Sequence, residues 1–172
     1  CMSPTPERLK EVAFSQPYMN VQQRVIVRKE DKDKFHSTKD FEGVRAGAQK
    51  QTTQEELIKT ELTGAVPTSL QKIPDLIMNL KNNKLDAVVM EEPVGEAYVS
   101  QNEDLAFADV TFEKGSKDTA VAFPKDAPVL TEKVNASIKQ INDQKLMDGY
   151  KKEANQLMFQ KDQSFLQKYG KF

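Results

Sequence analysis

Met2-Ser3-Pro4-Thr5-Pro6-Glu7-Arg8, continued by Val12-Ala13-Phe14-Ser15-Gln16-Pro17-Tyr18, reads as a helix start followed by a buried strand. Thr5 is a natural N-cap, because its hydroxyl can accept from an amide that the first turn leaves unpaired. Pro6 fits the first helical position, where a missing N–H costs nothing, and Leu9 and Val12 supply an apolar face. Ser3, Thr5 and the free amides of the helix mouth then converge with the planar fork of Arg8. Hydroxyls, amides and a bidentate cation together suit a small carboxylate. An arginine in a first helical turn is also, more ordinarily, a solvated surface residue.

Outward from this segment, strands alternate with helices. Gln23 to Arg28 alternates polar and apolar residues over a β-rich run, and Val44 to Gln49 is a second strand. The charged run Lys29 to Lys39 reads as a loop containing His36, and Phe41-Glu42-Gly43 as a turn. Thr52 with Glu55 three residues on is a capping-box arrangement that opens a helix. Pro67 breaks the chain. Pro74 begins a helix bearing Leu76, Ile77 and Leu80, and Pro93 starts another that runs through Tyr98. Leu85 to Met90 is a buried strand, Leu105 to Val110 a short one, and Asp118 to Pro124 a strand ended by its proline. Leu130, Val134, Ile138 and Ile141 mark a long helix; Leu146 to Phe172, with Leu157, Met158, Phe165 and Leu166, reads as helical and lysine-rich. This alternation predicts an α/β fold with mainly parallel pairing.

Bulk composition narrows the function. Twenty-five basic residues against 26 acidic ones give a net charge of −1, which is no electrostatic footprint for nucleic acid or an anionic membrane. No apolar run approaches membrane-spanning length. One cysteine allows no internal disulfide, and one histidine in a charged loop supports neither a metal site nor a Ser–His–Asp or Cys–His arrangement. No cofactor is expected.

Two further motifs lie at strand ends. Gln49-Lys50-Gln51-Thr52-Thr53-Gln54-Glu55 leads a strand into a helix whose first turn offers free N–H groups to an anion; the plain alternative is a capping box alone. Leu85-Asp86-Ala87-Val88-Val89-Met90-Glu91-Glu92-Pro93 places Glu91 at the carboxyl end of a buried strand, where open α/β sheets bind ligands. Glu91-Glu92 is alternatively a charge complement to a helix dipole, and Asp86 reads as a structural residue at the strand edge.

S-P-T-P-E-R followed by F-S-Q-P-Y, with T-T-Q-E and the V-V-M-E strand end, resembles the polar amino-acid binding proteins that serve ABC importers. That family includes the glutamine- and histidine-binding proteins. The resemblance covers nearly the whole chain and implies a bilobal, type II periplasmic-binding-protein-like fold. It implies that residues 1–20 form part of lobe 1, 21–115 form lobe 2, and 116–172 return to lobe 1 with C-terminal helices. The crossing strands would lie at Val21 to Ile26 and Glu113 to Lys117, and the opening part of lobe 1 would be lacking. It further implies that Arg8 grips the ligand α-carboxylate, that Thr53 supplies lobe 2's share, and that Glu91 takes the α-ammonium group. Cys1, Ser3, Gln49 and Thr52 complete the candidate ligand-binding set. Gln51 departs from the glycine of many relatives, and Glu91 from their usual aspartate.

An α-amino acid has one anionic and one cationic end, and the three motifs suit them. Burying both charges is tolerable only when each is paired; a site split between two lobes completes those pairs by hinge closure. The expected function is therefore an extracytoplasmic, non-enzymatic receptor that delivers a glutamine-, histidine- or arginine-class amino acid to an ABC permease. Its location would be the periplasm or the cell surface, with membrane contact through the permease or a lipid anchor at Cys1. A dehydratase-like enzyme on the same fold and a sensory domain are the alternatives. Phe14, Val121 and Phe123 are expected to lack cover, favouring strand exchange or dimerisation between chains.

Overall fold

The computed structural model describes residues 2–159, with side chains as far as Ala154. Helix α1 (Pro6–Glu11) leads to β1 (Ala13–Phe14) and the ten-residue β2 (Met19–Arg28). Two 3₁₀ turns, Lys29–Lys34 and Thr38–Phe41, precede β3 (Arg45–Gln49), α2 (Thr53–Glu61), β4 (Val66–Leu70) and α3 (Ile73–Lys81). Then come β5 (Ala87–Glu91), α4 (Glu92–Gln101), β6 (Leu105–Phe107), β7 (Ser116–Thr119), β8 (Ala122–Phe123), α5 (Pro128–Asp143) and α6 (Met147–Phe159). No helix among the described residues is long and apolar enough to cross a membrane.

Strands β4, β3 and β5 pair in parallel, as α/β alternation demands, because α2 and α3 serve as the crossovers. Strand β2 runs antiparallel to everything it touches. Its first half pairs with β7 through Met19↔Thr119 to Gln22↔Ser116; its second half pairs with β5 through Gln23↔Glu91 to Val27↔Ala87. β1 and β8 form a separate antiparallel pair. Ser15 fastens that pair, donating its amide to Val121 O (2.9 Å) and accepting the Val121 amide at its hydroxyl (3.0 Å).

Both faces of the central sheet are covered. Val25, Val27 and Val89 face a cluster with Phe41, Leu57, Ile58 and Leu62; Ile26, Val88 and Met90 face Leu76, Leu80, Leu85 and Leu105. Alternation along Val25 to Val27 of β2 and along Ala87 to Met90 of β5 thus feeds two apolar layers, which is why both stretches read as continuous apolar runs. Gly47 lets α3 come close: a Cβ there would lie 2.6 Å from Leu85 Cδ1 and 2.9 Å from Leu76 Cδ2.

Several local expectations are corrected. Lys29 to Lys39 is not a plain loop. The Asp31 carboxylate accepts from Arg28 Nε (2.7 Å) and Lys34 Nζ (2.5 Å), and the Phe35 and Phe41 rings stack at 4.8 Å, winding the run into 3₁₀ turns. Pro67 does not break the chain but sits inside β4. The Val66 amide donates to Val44 O (2.8 Å), so the next residue turns its nitrogen away from β3, where no ladder bond is lost. Asp118 to Pro124 is not one strand: β7 pairs with β2, β8 pairs with β1, and Ala120 bridges to Met2 between them. Leu9 and Leu130 are exposed, whereas Ile138 is buried. Phe14 is half-buried, Val121 exposed and Phe123 buried, so only part of that expected bare surface exists. The side chains of Leu157 and Met158, and all of Phe165 and Leu166, lie outside the described residues.

Candidate functional site

At the mouth of α2, the chain turns sharply from strand to helix. Gln51 adopts φ +63°, a left-handed conformation in which glycine is customary. The Thr52 hydroxyl donates to Gln49 O (2.6 Å) and accepts from the Glu55 amide (3.4 Å). Glu55 completes the cap with a difference from the capping box expected: its carboxylate accepts the amide of Gln51 (2.8 Å) instead of the cap residue's own. Lys59 (3.1 Å) and Ser69 (2.9 Å) also donate to it. The Gln51 amide, with Lys59 and Ser69, draws the Glu55 carboxyl down to about 2. The positive-φ turn is therefore fastened by an ionised side chain one helical turn along.

Glu91 ends β5 and occupies the N-cap position of α4 without making a side-chain cap bond. It is half-buried, and burial pushes its carboxyl up. Burial, followed by the nearby Glu91 charge, raises the Tyr18 phenol. The two adjacent acids diverge in role: Glu92 pairs with Arg24 (2.9 Å), whose guanidinium lies 4.9 Å from the Phe107 ring centre. A cavity of about 310 Å³ opens between the end of β5 and the mouth of α2. Gln49, Thr52, Gln54 and Glu91 supply its polar wall, and Leu76 and Val94 are among its apolar residues.

Three of the expected residues, Gln49, Thr52 and Glu91, thus meet in one cavity. Ser3, Arg8 and Thr53 are not on its wall. Ser3 is buried, and its carbonyl accepts from Arg8 Nη1 (3.0 Å); the Thr5 hydroxyl accepts the Arg8 amide (3.3 Å), so it caps α1. Thr53 is the half-buried first residue of α2. Cys1 lies outside the described residues. Asp86 is structural, as expected: hydrogen bonding from Arg45 (2.8 Å) outweighs burial and, with Arg28, draws its carboxyl down to about 2. His36 Nε2 lies 3.0 Å from Asp33 O. Among the described residues no group of three or more His, Cys, Asp or Glu side chains could hold a metal.

Gln23 and Gln54 were absent from the expected set. Both are buried, and Gln54 Nε2 donates to Gln23 Oε1 at 2.7 Å. A usable signal was present, because Gln23 falls in phase with Val21, Val25 and Val27 on the inward face of β2. A polar residue on a buried period-two face needs a partner.

The sequence pattern of the bacterial extracellular solute-binding proteins, family 3, matches residues 1–155. The arginine-binding extracellular protein ArtP of Bacillus subtilis is 33% identical over 156 residues, covering 88% of this chain and 60% of ArtP. The amino acid ABC transporter substrate-binding protein AbpA of Streptococcus pneumoniae, solved with L-arginine bound, is 37% identical with a TM-score of 0.87, over 93% of this chain and 68% of AbpA. The ancestral amino acid-binding protein AncCDT-1, a precursor of cyclohexadienyl dehydratase, is 27% identical with a TM-score of 0.75, over 92% of this chain and 66% of AncCDT-1. The chain therefore spans about 60% of the length of ArtP.

Proposed function

Because the chain belongs to family 3 of the bacterial extracellular solute-binding proteins, we propose that it captures a polar amino acid for delivery to an ABC permease. The observation that carries this reading is the cavity where Glu91 meets the capped mouth of α2. Within the glutamine, histidine and arginine class, arginine is favoured: ArtP is named for it and AbpA was solved with it.

In this reading Glu91 takes the α-ammonium group, and the Thr52-Thr53 turn offers amides, with the Thr53 hydroxyl, to the α-carboxylate. Arg8 stands off the cavity wall and joins the carboxylate as the site closes. Residues 1–20 and 116–172 belong to lobe 1, and residues 21–115 to lobe 2. The change of ladder on β2 between Gln22 and Gln23 supports a crossing there, and the Gln23 amide bond to Gly115 O (2.9 Å) supports the second crossing beside it. Closure would exclude water from the paired charges and present a new surface to the permease. The dehydratase alternative needs an acid or base aimed at the ligand side chain, and Glu91 is already committed to the ammonium.

Isothermal titration calorimetry of the chain against the twenty amino acids tests the reading. Saturable binding of arginine or another polar amino acid, with the ligand recovered unchanged, is the expected result. Binding of none, or conversion of the ligand, overturns it.

A further inference from the structure

Gln23 and Gln54 form a polar pair beneath the cavity whose polarity matters. Gln23 is 3% exposed and sits opposite Glu91 in the β2–β5 register, so the two side chains emerge on one face of the sheet. Its backbone amide is held by Gly115 O, and its Oε1 accepts from Gln54 Nε2 at 2.7 Å. The Gln23 Nε2 is buried without a partner. On the other side of the cavity, Gln49 Nε2 donates to Gln71 O at 3.0 Å. Each carboxamide bordering the cavity therefore has one of its two N–H groups engaged by a protein acceptor, which fixes the orientation of the amide. The carbonyl oxygens of Gln49 and Gln54 remain as acceptors alongside the Glu91 carboxylate, and among the described residues no lysine or arginine lines the wall.

We propose that Gln23 is a specificity-determining positioning residue: by engaging the Gln54 nitrogen it turns the Gln54 carbonyl oxygen to the cavity, which then accepts from a donor-rich cationic ligand group. The inference rests on reading this cavity as the amino-acid site. With the pair reversed, Gln54 would present N–H beside Glu91, satisfy that carboxylate from within the protein, and compete with the ligand's own donors. The unpartnered Gln23 nitrogen is the cost of the observed polarity. A guanidinium offers five N–H donors and no acceptor; a urea group of the same shape offers three donors and an acceptor oxygen, and so matches an acceptor-rich wall less well. Discrimination of this kind arises because a mismatched polar group stays unpaired in a buried site.

The test compares L-arginine with its neutral isostere L-citrulline, by calorimetry, on the wild-type chain and on Gln23→Met and Gln23→Glu. Gln23→Met keeps the volume and removes the acceptor. It is expected to lower the arginine-to-citrulline affinity ratio by about tenfold or more. Gln23→Glu, which keeps an acceptor oxygen at the same reach, is expected to retain the ratio. Equal weakening of both ligands in Gln23→Met would assign the residue a structural role only and overturn the proposal. A ligand-free measurement stands beside this one: solvent exchange of the Gln54 side-chain NH₂ by ¹⁵N NMR is expected to be slow in wild type and fast in Gln23→Met. Identical exchange in the two overturns the proposal. If the wild-type chain binds no amino acid, the functional reading falls, while the NMR arm still decides whether Gln23 holds Gln54.

Discussion

Replacing Arg8 by alanine separates ligand binding from folding. In the structure the Arg8 side chain makes one hydrogen bond, to Ser3 O at 3.0 Å, and no ion pair among the described residues. It is half-buried, on a helix of six residues with no buried member. Losing that single bond to a local carbonyl is worth about 1 kcal/mol of stability. The ligand side is larger. A carboxylate enclosed by closure loses its bidentate partner and is left with a poorly compensated buried charge, which costs about 3–4 kcal/mol, or a factor of about 10² to 10³ in Kd. Because Arg8 is off the cavity wall, that loss also reports whether closure brings it in. Calorimetry with L-arginine and guanidinium chloride denaturation, run on the same preparations, give the two numbers. A change in Kd below about fivefold would refute the assignment. So would a stability loss above about 3 kcal/mol that accounts for the weaker binding by itself.

Other perturbations test the frame around the site. Asp86 is held near 2 against an ordinary 3.8, so its contribution is present above the ordinary value and lost as pH falls toward 2. Unscreened, that difference is worth about 2 kcal/mol; in this partly open position about 1 kcal/mol is expected. Asp86→Asn should therefore lower stability near neutral pH and flatten the acid limb in urea titrations; an unchanged acid limb refutes it. Gln51→Gly relieves a left-handed residue and should raise stability by about 0.5–1 kcal/mol, seen as a higher thermal midpoint. The backbone amide bond to Glu55 is retained in this variant, so an unchanged or lower midpoint refutes the strain argument. Gly47→Ala drives a methyl into Leu76 and Leu85 and should cost about 1–3 kcal/mol, measurable by denaturation. Since Leu76 also lines the cavity, arginine affinity should fall with it.

Signals that act within a few residues were legible. Thr5 and Thr52 cap as expected, Pro74 and Pro93 open their helices, and Glu91 ends its strand beside a cavity. What the sequence hid depends on distant partners. Pro67 reads as a breaker until β4 is known to be an edge strand. Asp118 to Pro124 has one continuous β-pattern and is divided only because its halves pair with β2 and β1, about a hundred positions earlier. Gln54 looks like one more polar residue of a helix start until its partner across the sheet is seen. Arg8 and Glu91 stand on different elements, and local pattern carries no distance between them.

Pro67 has one more consequence. A parallel sheet ending in an extended strand presents a row of unpaired backbone groups to solvent, an open template onto which another chain can zip. On β4 the outward-turned nitrogen belongs to a residue that cannot donate, flanked by exposed Val66. The opposite limit of the sheet, β6, is only three residues long. That nitrogen is a safeguard against edge-to-edge aggregation, built into the same strand that buttresses the mouth of α2 through Ser69 and Glu55.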